Sequence, residues 1–429
     1  MSFSKNSVIR AAFTAAFLGS FAVAAMAQST QPTSFKYTFG AEKAGFTQVK
    51  ATDAYADAAG YGFEPGSVAT AGSGDVTSKQ PFFFSAKVPE GNYLVTVTLG
   101  SADQAATTTV KAELRRLMLE QVHTAAGETV SRTFAVNIRT PQFPGGQVRL
   151  KPREIKGQSE WRAWDERMTL EFSGDNPAIQ SIDIEPAGNL PVVYICGDST
   201  TCDQPVEPFN SWGQMITRWL KPDVVVANEG ESGETLPAFF GEKRWDKVMN
   251  TLKAGDYVIC VFGHNDMKNP TGEPPAKYAD FYARIVADAH SKGATPIIMT
   301  PVSRQSFGPD GKITNSFGGY PDAVRALAKD KGIAFIDLQK QGAAFYEAIG
   351  KEKAPLAFAN PTEKTHHSDY GSYNIAKCVM QGIIDLKLPL ADHVTADWKT
   401  YDPSHPDMPA DFKVPLDPRQ SRMQTPAGS

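Results

Sequence analysis

The hydrophobic period of this chain changes near residue 190, and that change limits the folds open to it. From Phe35 to about Ala187 the period is two. Tyr93, Val95, Val97 and Leu99 interleave with Leu94, Thr96 and Thr98, and the pattern returns at Phe134, Val136 and Ile138 and at Met168, Leu170 and Phe172. Such alternation puts one face on a core and the other in water, as in antiparallel sheets. Turn clusters such as Pro89-Glu90-Gly91-Asn92 and Ser173-Gly174-Asp175-Asn176-Pro177 separate the runs, which predicts an all-β sandwich over 34–188. From Pro191 onward, continuous apolar runs (Val192–Cys196, Val224–Asn228, Tyr257–Phe262, Pro296–Thr300, Ala334–Leu338) alternate with amphipathic stretches. The clearest of these carries Tyr278, Phe281, Tyr282, Ile285, Val286 and Ala289 at helical spacing, and a last helix is expected from near Tyr370 to about Leu386. The prediction is an α/β domain over 190–390 with a doubly wound parallel sheet. Residues 391–429 are rich in Pro, Asp and Lys without period, and read as an ordered wrap or a loose tail. Ligands of doubly wound sheets gather outside the carboxyl ends of the strands, so residues just after each strand are the candidates for chemistry.

At the beginning, Lys5 and Arg10 precede an apolar run from Ala11 to Ala25 that exits through Ala25-Met26-Ala27. That is the layout of a secretory signal peptide over 1–27, cut after Ala27. The run is shorter than the roughly 20 residues needed to span hydrocarbon, and Gln28 to Pro32 is polar. A secreted or periplasmic location is expected, with no membrane insertion after cleavage. The formal charge of −4 and the lack of a long basic run argue against nucleic-acid binding. Cys-x-x-Cys and His-Glu-x-x-His spacings are absent, so no metal site is expected. Cys196 and Cys260 lie in apolar runs and read as small core residues. Export would permit a Cys202–Cys378 pair, but four reduced thiols are expected.

Four strand-end or pre-helix segments carry the chemistry. The first strand ends in Gly197-Asp198-Ser199-Thr200, where a tight turn would expose the Ser199 hydroxyl and leave its N–H free to donate. Asp198 is expected to be a turn acceptor. The second ends in Asn228-Glu229-Gly230-Glu231-Ser232-Gly233-Glu234-Thr235, whose glycines let backbone approach a ligand. The third ends in Gly263-His264-Asn265-Asp266, and the Asn265 carboxamide can donate to an oxyanion without titrating. Before the last helix stands Glu363-Lys364-Thr365-His366-His367-Ser368, in which an acid three residues ahead of a histidine can fold back onto its Nδ1.

The order Ser, Gly, Asn, acid-x-x-His, with Asn228 five residues before Gly233, resembles the SGNH (GDSL-type) hydrolase superfamily from about Pro191 to Pro389. Val193-Tyr194-Ile195-Cys196-Gly197-Asp198-Ser199-Thr200, Trp212-Gly213, Ala254-Gly255-Asp256-Tyr257-Val258, Gly263-His264-Asn265-Asp266 and Thr300-Pro301-Val302 are similar to rhamnogalacturonan acetylesterases of carbohydrate esterase family 12. The resemblance implies a flavodoxin-like fold and a secreted serine acetylesterase acting on an acetylated polysaccharide, with no cofactor. It places Ser199 as nucleophile, His366 as base and Glu363 as its acid, with an oxyanion hole made by the Ser199 and Gly233 N–H groups and Asn265. The family usually has Asp at the acid position, so Glu363 is a departure, and spacing favours His366 over His367. The substrate so implied is rhamnogalacturonan, the branched part of pectin, or another glycan such as xylan. Arg304, and less so Lys268, just beyond strand ends, are candidates for holding an anionic polymer. The β-rich half resembles galactose-binding-like sandwiches in pattern only. It would bind polysaccharide or buttress the catalytic half, and Tyr61 and Phe82-Phe83-Phe84 read as packing residues. Two other readings stand beside this one. A lipase or thioesterase needs an apolar acyl groove that Thr201-Cys202-Asp203-Gln204 does not suggest, and a non-catalytic carbohydrate-binding protein would be expected to lack the Ser or His.

Overall fold

In the computed structural model, residues 34–156, 160–268 and 274–416 are described. The segment 1–27 expected to be a signal peptide and the end of the tail lie outside them. The first part is two sheets packed face to face, antiparallel except where Thr47–Gln48 runs parallel to Phe35–Thr38 at one edge. In one, Gly91–Leu99 pairs with Val130–Ile138 on one side and Ala178–Pro186 on the other, and Phe35–Thr38 follows. The other runs in the order Tyr61–Phe63, Phe82–Lys87, Arg167–Asp175, Ala106–Ala112, Arg116–Thr124. Every second residue faces the space between the sheets. Val95, Val97, Leu99, Leu170 and Phe172 are fully buried there, while Leu94, Thr96 and Thr98 are only partly covered. Phe82 and Phe84 join the same core, Phe82 stacking on Phe172 at 5.2 Å.

The second part is a five-stranded parallel sheet in the order Val225–Asn228, Val192–Gly197, Tyr257–Val261, Thr295–Met299, Ala334–Ile336. In chain order this is 2-1-3-4-5, the flavodoxin-like winding. All residues of the three strands nearest the switch in strand order are buried, which explains their unbroken apolar runs. Helix Pro275–Ser291 lays Tyr278, Tyr282, Ile285, Val286 and Ala289 on one face of the sheet. Helix Asp369–Asp385 packs on the other through Ile375, Val379 and Ile383.

The boundary near residue 190 is a change of architecture and not a gap in packing, because the chain from Ser34 onward forms one compact unit. Leu117 of the sandwich joins the core around Trp212 and Trp219, and Ala135 joins the core on the opposite face of the parallel sheet. Burying an aromatic as large as Trp212 removes about 150–250 Å² from water, a gross gain of roughly 4–6 kcal/mol. The described part of the tail is an ordered wrap. Tyr401 and Val414 are buried against the core of the parallel-sheet part, and the Pro415 and Lys413 carbonyls accept from Lys111 and Gln121 of the sandwich. All four cysteines are buried and free, and among the described residues no helix is long and apolar enough to cross a membrane.

Candidate active site

Reversal of strand order between Val192–Gly197 and Tyr257–Val261 opens a crevice at their carboxyl ends, and the candidate residues come to it from four stretches. Directly after Gly197 the chain turns sharply, with the Thr201 and Cys202 N–H groups donating to the Asp198 carbonyl. The Asp198 side chain closes the turn by accepting from the Thr200 N–H at 3.0 Å and hydroxyl at 2.9 Å. It is thus the turn acceptor, and Ser199 is what the turn presents. The Ser199 Oγ lies 2.8 Å from His366 Nε2. On the far side of that ring, Glu363 Oε2 lies 3.3 Å from Nδ1. The other oxygen, Oε1, accepts from the N–H groups of Lys364, Thr365 and His366.

The loop after Val225–Asn228 is tied to the serine turn by Asn228, whose Nδ2 donates to the Thr201 carbonyl at 2.7 Å and to Asp203 at 2.9 Å. Gly233 sits in it with φ +71°, a conformation that favours glycine. Asn265 Nδ2 donates to the Glu234 carbonyl at 3.0 Å, so the carboxamide is anchored to the residue after Gly233 and keeps a second N–H. The structure therefore brings Ser199, His366, Glu363, Asn265 and the Gly233 loop to one rim of the sheet.

Electrostatics separates the two histidines. Burial, reinforced by the imidazoles of His264 and His366, pushes His367 down to about 3. Its Nε2 is taken by the Tyr346 hydroxyl at 2.6 Å, and its ring stacks on Phe358. His367 is a neutral core residue, and His366 is the imidazole on the serine. Burial would raise the Glu363 carboxyl, but the hydrogen bond and charge of His366 and the Thr365 and His366 amides outweigh it and bring it to about 2. The acid is thus ionised over the working range, as a partner for an imidazolium must be.

Arg304 turns inward. Its Nη2 donates to the His264 carbonyl at 3.0 Å, and the guanidinium lies over Phe317, so it supports the Asn265 segment. His264 is fully buried with Nδ1 3.3 Å from Asp198 Oδ2, behind the serine turn. Several contributors escaped the sequence reading. Gln204 Nε2 donates to the Ser199 carbonyl at 2.7 Å, and Phe209 packs edge-on against His366. Arg115, Lys151 and Arg153 reach the site's loops from the sandwich. Those three lack a sequence signal, since a lone surface-type cation in a β-rich segment looks like any solvated charge. Among the described residues no group of three or more His, Cys, Asp or Glu is disposed to hold a metal ion.

The GDSL-like Lipase/Acylhydrolase family is matched over residues 195–371. Rhamnogalacturonan acetylesterase RhgT of Bacillus subtilis (strain 168) is 34% identical over 218 residues, 48% of this chain and 94% of that protein. The probable rhamnogalacturonan acetylesterase YesY of the same organism is 29% identical over 215 residues, 47% of this chain and 96% of that protein. The uncharacterized esterase YxiM, also of that organism, is 25% identical over 376 residues, 82% of this chain and 91% of that protein.

Proposed function

Because the chain belongs to the GDSL-like lipase/acylhydrolase family and is an esterase, we propose that it is a serine acetylesterase that removes acetyl groups from a plant cell-wall polysaccharide, rhamnogalacturonan in the first place. The observation that carries the chemistry is the 2.8 Å contact between Ser199 Oγ and His366 Nε2, with Glu363 behind the ring. Two rhamnogalacturonan acetylesterase relatives support the substrate.

In this reading His366 Nε2 takes the Ser199 proton as Oγ attacks the acetyl carbonyl. Glu363 holds the ring by Nδ1 and balances the imidazolium. The tetrahedral oxyanion accepts from the Ser199 and Gly233 N–H groups and from Asn265 Nδ2. Collapse breaks the bond to the sugar oxygen, which leaves with the proton from His366. Water then attacks the acetyl-serine with His366 again as base, acetate leaves, and Ser199 recovers its proton. Export fits the sequence of residues 1–27, and the N-terminus of the secreted form is expected at Gln28.

The test is acetate release from acetylated rhamnogalacturonan, acetylated xylan, p-nitrophenyl acetate and longer p-nitrophenyl esters. Rhamnogalacturonan is expected to give the highest kcat/KM among the glycans, and acetate to exceed longer acyl chains. Faster release from xylan would move the substrate to that polymer, and a preference for long chains would overturn the acetylesterase reading. Ser199→Ala should lower kcat on the order of 10⁵-fold or more with the fold intact; substantial retained turnover would remove Ser199 from the mechanism.

A further inference from the structure

The segment at residues 151–156 belongs to the N-terminal half, between the sandwich strands Val130–Ile138 and Arg167–Asp175, yet its cations end on the hydrolase half. Arg153 Nε donates to Glu231 Oε1 at 3.0 Å, and its Nη2 donates to the Ser232 carbonyl. Lys151 Nζ donates to that same carbonyl at 3.2 Å and pairs with the Glu234 carboxylate. Glu231, Ser232 and Glu234 are all buried. The Ser232 carbonyl and the Gly233 N–H belong to one peptide unit. That unit is planar and trans, so fixing its oxygen fixes the direction of its N–H on the opposite side. Two positive charges on the oxygen also polarise the amide and strengthen its N–H as a donor. Gly233, at φ +71°, would otherwise be the freest point of the loop.

A second contact from the sandwich braces the histidine side. Arg115 has φ 68°, an uncommon conformation for a non-glycine residue that surrounding structure must enforce. It donates to the Phe209 carbonyl at 2.6 Å and to Asp369 at 2.9 Å. Phe209 packs on His366, and Asp369 opens the helix that follows the histidines.

We propose that Lys151 and Arg153 are positioning residues for acyl transfer: by gripping the Ser232 carbonyl they aim and polarise the Gly233 N–H, so the sandwich completes the oxyanion hole of the hydrolase half. This rests on the reading of Gly233 as an oxyanion donor.

The test compares three variants of the full chain on p-nitrophenyl acetate, with kcat expressed per site titrated by a fluorophosphonate, so that unfolded protein does not count. Arg153→Met and Lys151→Met should each lower kcat about tenfold, a part of the 10²–10³-fold cost of deleting a donor, with KM within about twofold. Lys247→Met is the control. Lys247 bridges the same two halves, but its hydrogen bonds go to Glu90 and to the Gln142 carbonyl. Its kcat per site should stay within about twofold of the parent, since it touches no oxyanion donor. The proposal is overturned if neither cation variant moves kcat, if Lys247→Met lowers it equally, or if the loss falls on KM alone. Should Arg153→Met fail to fold, Lys151→Met carries the same comparison. Loss in Asn265→Ala without loss in the cation variants would leave the esterase site standing and remove only this inference. Full activity of Ser199→Ala would remove the reading beneath it.

Discussion

Glu363 shows how one methylene is absorbed at the residue scale. One carboxylate oxygen faces the imidazole and the other takes three backbone N–H groups of its own loop, so the longer side chain folds back on itself while still meeting His366. Replacing it with a neutral isostere removes the charge that fixes the tautomer and stabilises the imidazolium. Glu363→Gln is expected to lower kcat by about 10³–10⁴-fold with KM little changed, measured on p-nitrophenyl acetate. The same side chain gives a pH signature. Its carboxyl sits near 2 in the folded protein against an ordinary 4.5. It therefore contributes stability that is present above about 4.5 and is lost as pH falls toward 2. Urea unfolding between pH 5 and 2.5 should show a shallower acid loss in Glu363→Gln than in the parent. At this scale the candidates Ser199 and Asn265 could be read from their strand-end positions, and His366 from its place before the last helix. Spacing already favoured His366 over His367, and the Tyr346 hydroxyl and the Phe358 ring, contributed by distant elements, hold His367 away from that role.

Elements set the reach of those side chains. Helix Asp369–Asp385 starts immediately after the histidine pair, where the Ser368 hydroxyl caps the Gly371 N–H. Its first turn presses on the Ala354–Ala357 turn so closely that a Cβ on Gly371 would lie 1.9 Å from the Ala357 carbonyl oxygen. Gly371→Ala must therefore move backbone. It is expected to destabilise by about 1–3 kcal/mol, read as a lower urea midpoint at unchanged slope. Because the displaced turn adjoins His366, kcat should fall in the same variant. The parallel strands were legible because burial on both faces leaves an unbroken apolar run. Their ends differed by a residue or two, since the last hydrogen bonds of a strand depend on the neighbour's register. The helix began one residue earlier than its apolar spacing indicated, because the Ser368 cap sets the start.

The whole molecule buries several carboxyl groups where its two halves meet and beneath its loops. Burial pushes Glu160, Asp165 and Asp266 up to about 7 and raises Glu113 strongly. Each holds its proton in the folded state after the unfolded chain has released it, so Glu160, Asp165 and Asp266 lose stabilising effect as pH rises from about 4 to about 7, and Glu113 acts in the same sense. Buried imidazoles such as His264 and His367 act in the opposite sense but are fewer. Thermal unfolding should therefore come at a higher temperature at pH 5.5 than at pH 8, and Asp165→Asn should flatten the difference. A flat profile in the parent would contradict this account.

Local patterning determined the elements and the chemical candidates of this protein. Apolar period encodes which backbone faces are buried, and strand ends in a wound sheet are where polar side chains can gather. Tertiary structure alone decided that the sandwich reaches, through Arg115, Lys151 and Arg153, the loops that flank Ser199 and His366. Those contacts join residues some 80 to 250 positions apart. No local period records such pairing, because which cation meets which carbonyl follows only from how the two sheets dock.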